Sequence, residues 1–166
     1  MILAIDPGSR RLGWAVASDQ AIVACGAVDV EGRTLAEIGA AVRELAATWE
    51  ADRACVEVPD GSMVGVRSLV ATARLHMVVG AVAVGAGVPC DLVLAGDVKM
   101  ALAGRRTAKK HEVHAVLILA GVEIPPLKRQ TCPDCRAAGG RHDHSPDAAD
   151  AAGLAWYALN AGGVHP

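Results

Sequence analysis

Three apolar runs follow one another within the first thirty residues: "ILAID", "LGWAVAS" and "AIVACGAVDV", separated only by "PGSRR" and "DQ". Connections this short cannot carry a crossover, so consecutive strands must run antiparallel. The chain is committed to a three-stranded meander before its first helix. Thr34 then opens a helix, with Glu37 completing a capping box and Leu35, Ile38, Val42, Leu45 and Trp49 forming an apolar stripe at helical spacing. Trp49 on that stripe reads as core. "RACVEV" is a short buried strand with Glu57 near its end, and "PDG" is a turn. From about Met63 to Gly85 runs a long helical pattern, apolar on most sides, which needs cover on two faces, one from the sheet and the other open to a second subunit. "CDLVLAG" is the fifth strand, "DVKMALAG" a short helix, and "AKKHEVHAVLILAG" a helix ending at Gly121 as its C-cap. Ser145 as N-cap and Pro146 at the first helical position start the last helix. The order predicts an α/β fold with a mixed five-stranded sheet, three antiparallel strands and then parallel ones, flanked by helices.

At 166 residues the chain is expected to form a single domain, 1–166. Apolar residues make up 52% without a single phenylalanine, so the core must be packed from alanine, valine and leucine. The longest apolar run, Met77 to Leu94, is broken by Gly80, Gly85, Gly87, Pro89 and Asp91 and falls short of the roughly 20 residues of a membrane span. No secretory signal precedes "MILAID", and the expectation is a soluble, cytoplasmic protein. Five cysteines, an odd number, argue against a disulfide framework. Cys25, Cys55 and Cys90 lie in apolar strands and read as buried thiols.

Asp6 and Glu57 each stand near the end of an apolar strand, where a carboxylate is tolerated if the end opens to water or to a cation. Either could also be no more than a strand terminus. Asp147 and Asp150 lie three apart on the last helix and share a face, which is unfavourable unless something positive sits over them. With no matching lysines beside them, the four acids suggest a site for hard divalent cations, magnesium or manganese. Two such ions about 3.5–4 Å apart activate a water and stabilise the leaving oxygen of a phosphodiester. The net charge of −2 hides a local excess: Lys99, Arg105, Arg106, Lys109, Lys110, Lys128, Arg129, Arg136 and Arg141 share one stretch with few acids. That stretch would bind a nucleic-acid backbone, unless it is simply a solvated face. Ser9, Arg10 and Arg11 lie beside Asp6, either to touch the phosphate or only to turn the chain. His76 and His114 read as helix-surface or interface residues.

"ILAIDPGSRRLGWAV", "ACVEVP", "DVKMALAGRRTAKKHEV" and "HSPDAADAAGLAWYAL" together resemble the successive motifs of the RuvC family of Holliday junction resolvases, in order and over nearly the whole chain. The resemblance implies an RNase H-like fold, a homodimer, and metal-dependent nicking of branched DNA such as four-way junctions, leaving 5′-phosphate and 3′-hydroxyl ends. Asp6, Glu57, Asp147 and Asp150 fall on the family's catalytic, metal-binding acids, and Lys99 and Lys110 on its DNA-contacting lysines. A catalytically silent junction-binding protein and a less selective structure-specific nuclease remain as alternatives. An ATPase of the actin type, whose phosphate loop also follows a strand as D-x-G, needs two such domains, more than this chain holds. No nucleotide cofactor and no membrane partner are expected.

The sequence departs from the family twice. Three positions after Glu57, where the family often carries an aromatic, stands Asp60. Before the last helix comes an insertion, residues 122–144, where the family usually joins the helices directly. Its Cys132-x-x-Cys135, followed after six residues by His142-x-His144, has the ligand types of a small structural zinc site. Two other readings stay open: His144 turned toward the catalytic metals, or an exposed basic loop with incidental ligands.

Overall fold

The computed structural model describes residues 1–19, 21–58, 66–124 and 145–161. Five strands, β1 (Ile2–Pro7), β2 (Arg11–Ala17), β3 (Ile22–Asp29), β4 (Arg53–Val58) and β5 (Cys90–Leu94), form one sheet in the order β3-β2-β1-β4-β5. β1, β2 and β3 pair antiparallel, whereas β4 and β5 add parallel to β1. This is the mixed sheet expected from the order of elements. The helices are α1 (Leu35–Thr48), α2 (Val66–Ala86), α3 (Ala95–Ala103), α4 (Lys110–Leu119) and α5 (Pro146–Ala161).

Alternation along the strands divides the core between the two faces of the sheet. Leu3, Ile5, Leu12, Val16 and Val56 point to one face and are covered by α1 and α2. Their bulk is met by Ile38, Val42, Val78 and Val82. The α1 capping box forms as the sequence predicts: Thr34 N donates to Glu37 Oε2 at 2.7 Å, and Glu37 N to Thr34 Oγ1 at 3.3 Å. Trp49 packs on this layer with its ring centroid 6.0 Å from that of Trp14. Where α1 crosses α2, a Cβ on Gly85 would fall 2.5 Å from the carbonyl oxygen of Gly39, so glycine at position 85 is what lets the two helices touch backbone to backbone.

The opposite face is built of small residues, Ala4, Ala15, Ala17 and Cys55, and receives α5 with Ala148, Ala149, Ala151, Ala152 and Ala155 all buried. Alanine against alanine lets a helix sit closer to a sheet than leucine would, and this is where the low bulk of the composition is used. α3 and α4 pack on α5 through Val98, Leu102, Val113 and Leu117.

Two expectations shift in detail. The fifth strand ends at Leu94 and α3 already begins at Ala95, so Ala95 and Gly96 are helical, and Gly104 in the left-handed region at φ 72° caps the other end. Cys55 is buried as expected, and burial pushes its thiol up to about 12. Cys25 and Cys90 are only half-buried, since β3 and β5 are the edges of the sheet. Among the described residues no helix is long and apolar enough to cross a membrane.

Candidate active site

Asp6 and Glu57 are brought together by strand register. β1 and β4 run parallel with Ile5 beside Val56, so the next step sets Asp6 beside Glu57 at the ordinary interstrand spacing of about 4.8 Å. Each is two residues on from a side chain of the alanine face, Ala4 and Cys55, so both carboxylates point toward α5. Antiparallel pairing places Gly13 opposite Asp6 on the other side. There a Cβ would lie 2.0 Å from the Asp147 carbonyl oxygen. The missing side chain is what admits the first turn of α5 to the sheet beside Asp6. Ser145 starts that turn as predicted, its Oγ accepting from Ala148 N at 3.4 Å.

Asp147 and Asp150 then face the strand ends from above. The positive charge they require comes from two other elements. Arg11 of β2 lies 3.7 Å from Asp147 Oδ2, and Lys110 at the start of α4 is paired with Asp150 Oδ2. The expectation that no lysine accompanies the acids is therefore corrected: Lys110 is forty residues from Asp150 in sequence and beside it in space. His114, one helical turn after Lys110, places Nε2 3.1 Å from Asp150 Oδ1. It is wholly buried, not on the helix surface or at an interface as the sequence suggests. Its spacing of three before Leu117, a core residue, is the signal that could have revealed this.

Burial and crowding tune the four acids differently. Burial, with Asp150 and Asp147 adding repulsion that Lys110 partly offsets, raises Asp6 to about 7. Burial, then Asp6 and Asp150, raises Glu57 to about 8 against the attraction of Lys110 and Lys99. Asp147 is also displaced upward, by burial and Asp150 against the pull of Arg11. Burial acts to raise Asp150 as well, but the His114 and Lys110 hydrogen bonds and charges outweigh it and its net displacement is downward. Lys110 pairs directly with Asp150, and its charge also lowers the proton affinity of the other three acids.

The donor set is entirely carboxylate oxygen, largely shielded from water, and short of positive charge, which fits a hard divalent cation. Among the described residues no three acids, histidines or cysteines stand close enough to hold an ion as they are. Like-charged carboxylates, with one of them tied to Lys110, have nothing to draw them to a common centre.

Lys128, Arg129, Arg136 and Arg141 lie outside the described residues; among those described, the remaining basic candidates lie around the α3–α4 connection. Arg105 pairs with Glu112 and Arg106 with Asp97, and both guanidinium groups stay about half exposed. Lys109 is exposed and Lys99 partly so on α3. Arg10 turns away to Glu31 at 3.5 Å. Asp60 and the four candidate zinc ligands Cys132, Cys135, His142 and His144 lie outside the described residues.

A family model described as crossover junction endodeoxyribonuclease RuvC matches residues 2–126, about three quarters of the chain. The chain belongs to the RuvC family. Its activity is that of the family, metal-dependent endonucleolytic cleavage of crossover junctions. The match ends just inside the insertion, ahead of Asp147 and Asp150. Solved structures extend the likeness through the last helix. A RuvC structure from Thermus thermophilus matches with a TM-score of 0.66 at 22% identity, over 97% of this chain and 96% of that one. T. thermophilus RuvC in complex with a Holliday junction substrate gives the same TM-score and identity over 98% and 95%. The yeast mitochondrial Holliday junction resolvase matches at 0.54 and 16% identity, over 96% of this chain and 78% of that one. At these identities the structures establish the RNase H-like fold. No curated relative matches the sequence.

Proposed function

We propose that Asp6, Glu57, Asp147 and Asp150 form the catalytic centre of this RuvC nuclease and would hold two magnesium or manganese ions. One observation carries the reading: strand register sets Asp6 beside Glu57, and the α5 N-terminus descends onto them where β2 has only Gly13. When bound, the ions supply an activated water and compensate charge on the phosphodiester. The chain's own groups do the rest. Their low solvent access strengthens every charge interaction in the site. Arg11 and Lys110, now neutralising Asp147 and Asp150, would turn to an incoming phosphate when cations replace them. Lys99, Arg105, Arg106, Lys109 and Lys110 track the DNA backbone, with the Arg105 and Arg106 ion pairs exchanging carboxylate for phosphate.

The unit of function is a single nuclease domain, residues 1–166, interrupted by the basic insertion, and a cytoplasmic location suits a DNA enzyme of this kind. The first residues of the insertion meet the β3 edge, where the Cys25 thiol donates to the Glu123 carbonyl at 3.4 Å, and Ser145 brings the chain back at the active face. A zinc ion on Cys132, Cys135, His142 and His144 would order this basic segment beside the site. Paired cuts across a two-fold junction need two centres, and the family's homodimer provides them. The α1–α2 face is suited to the contact: a groove of about 710 Å³ lined by Leu35, Ala40, Met77 and Val84, with the last two largely exposed.

The deciding experiment is magnesium-dependent cleavage of a panel of four-way junction, three-way junction, flap, RNA–DNA hybrid and plain duplex, with wild type and Asp6→Asn. The four-way junction should be cut by wild type at least about a hundredfold faster than by the variant, a loss of about 3 kcal/mol or more of transition-state stabilisation. Equal cutting by both proteins overturns the site; equal cutting of the whole panel overturns junction selectivity.

A further inference from the structure

His114 is the one histidine or formally charged side chain that is fully buried among the described residues, and the family's chemistry leaves it without a task. Its ring reaches Asp150 from α4, whose Val113 and Leu117 belong to the core packed on α5. Nε2 meets Oδ1 at 3.1 Å, whereas the other oxygen, Oδ2, is held by Lys110. A carboxylate oxygen only accepts, so Nε2 must carry the proton and donate it. Both partners come from one face of α4, since Lys110 and His114 are four residues apart. The helix therefore grips the two oxygens of one carboxylate with two different groups. The grips differ in permanence. The lysine is about half exposed and long enough to swing away, while the imidazole is fixed by the core formed with Val113 and Leu117.

We propose that His114 is a positioning residue for the Asp150 carboxylate: it holds Oδ1 from the protein interior and so leaves Oδ2 as the oxygen that exchanges Lys110 for a metal ion. The inference rests on Asp150 being a metal ligand. A second hydrogen bond behind a ligating carboxylate fixes its rotamer, and loss of such a partner typically costs ten- to a hundredfold in metal affinity.

The test compares wild type, His114→Leu, His114→Gln and Asp150→Asn as full-length, metal-free proteins. Manganese affinity is read by calorimetry, junction affinity in chelator by fluorescence anisotropy, and cleavage by single turnover. Glutamine places its amide nitrogen about where Nε2 lies and can donate; leucine fills the space without donating. His114→Leu should bind manganese at least about tenfold more weakly, with junction affinity in chelator unchanged, and His114→Gln should lie within a few-fold of wild type. Wild-type manganese affinity in His114→Leu, with affinity lost in Asp150→Asn, overturns the positioning role while leaving the site intact. Full manganese binding and cutting by Asp150→Asn overturns the site itself, and the inference with it. Equal losses in the leucine and glutamine variants, accompanied by weaker junction binding, make His114 a packing residue and also overturn the role. If His114→Leu does not fold, ring ¹⁵N spectra of wild type decide: a protonated Nε2, slow to exchange with solvent before and after magnesium, supports the bond to Oδ1, and a deprotonated Nε2 overturns it.

Discussion

Gly13 lies directly beneath the carbonyl oxygen of Asp147, with 2.0 Å between that oxygen and the place a Cβ would take. The glycine stands opposite Asp6 in the β1–β2 register, so one absent methyl group sets the height of α5 over the acid pair. Gly13→Ala should lift or tilt the first turn of α5, destabilise the protein by roughly 1–3 kcal/mol as overpacking does, and reduce cleavage far more than junction binding. Thermal melts and single-turnover rates read the two effects. An alanine variant that cuts as fast as wild type would mean the close approach is dispensable.

Asp6 and Glu57 bind their protons more tightly folded than unfolded, because burial raises them to about 7 and about 8. Folding is then penalised once the unfolded acids have ionised. The penalty grows from about pH 4 and levels off above about pH 8, reaching on the order of a few kcal/mol. Metal-free protein should lose melting temperature across that interval, and saturating magnesium should restore it. Asp150 acts in a separate window, since its depressed pKa contributes stability that is lost only as the pH falls below about 4. Asp6→Asn should be more stable than wild type at pH 8 in chelator; a variant no more stable than wild type would contradict the origin assigned to the penalty.

Arg105 and Arg106 are held by Glu112 and Asp97 and remain half exposed beside the α3–α4 connection. If they exchange these acids for phosphates, the double substitution Arg105→Gln with Arg106→Gln should weaken junction binding and lower the slope of log affinity against log salt by up to about 2. An unchanged slope would leave them as surface ion pairs, worth about 0–1 kcal/mol each to the fold.

Met77 and Val84 expose apolar surface along the α1–α2 groove. Val84→Glu would bury an unpaired carboxylate in a two-fold contact, and should shift the protein to monomer, weakening association by about a hundredfold or more. Light scattering after size exclusion reads the mass. A dimer of wild-type affinity would place the interface elsewhere.

Zinc in the insertion has a direct readout. Native mass spectrometry of protein purified without chelator should show one zinc per chain, lost in Cys132→Ser with Cys135→Ser. A zinc-free wild type would remove the proposal.

Much of the fold was legible because local rules govern it. Short links force the meander, Thr34 and Glu37 form their box, and Ser145 with Pro146 starts α5. The four acids were legible too, as carboxylates where apolar patterns have no use for them. Their cations were not. Nothing in the sequence around Asp147 and Asp150 points to Arg11 or Lys110, and His114 looks like a surface residue until α4 is rotated onto α5.

By itself, then, the sequence determined which elements form, the mixed sheet they make, and which carboxylates stand at their ends, because hydrophobic period, turn length and capping act over a few residues. Tertiary structure alone decided what each carboxylate meets. Asp150 receives Lys110 and His114 from across forty and thirty-six residues, and Asp147 settles where Gly13 leaves room. Those partners, and the burial that raises Asp6 and Glu57, exist only once α5 lies on its floor of alanines, since charge interactions and desolvation depend on distance in space and not on separation along the chain.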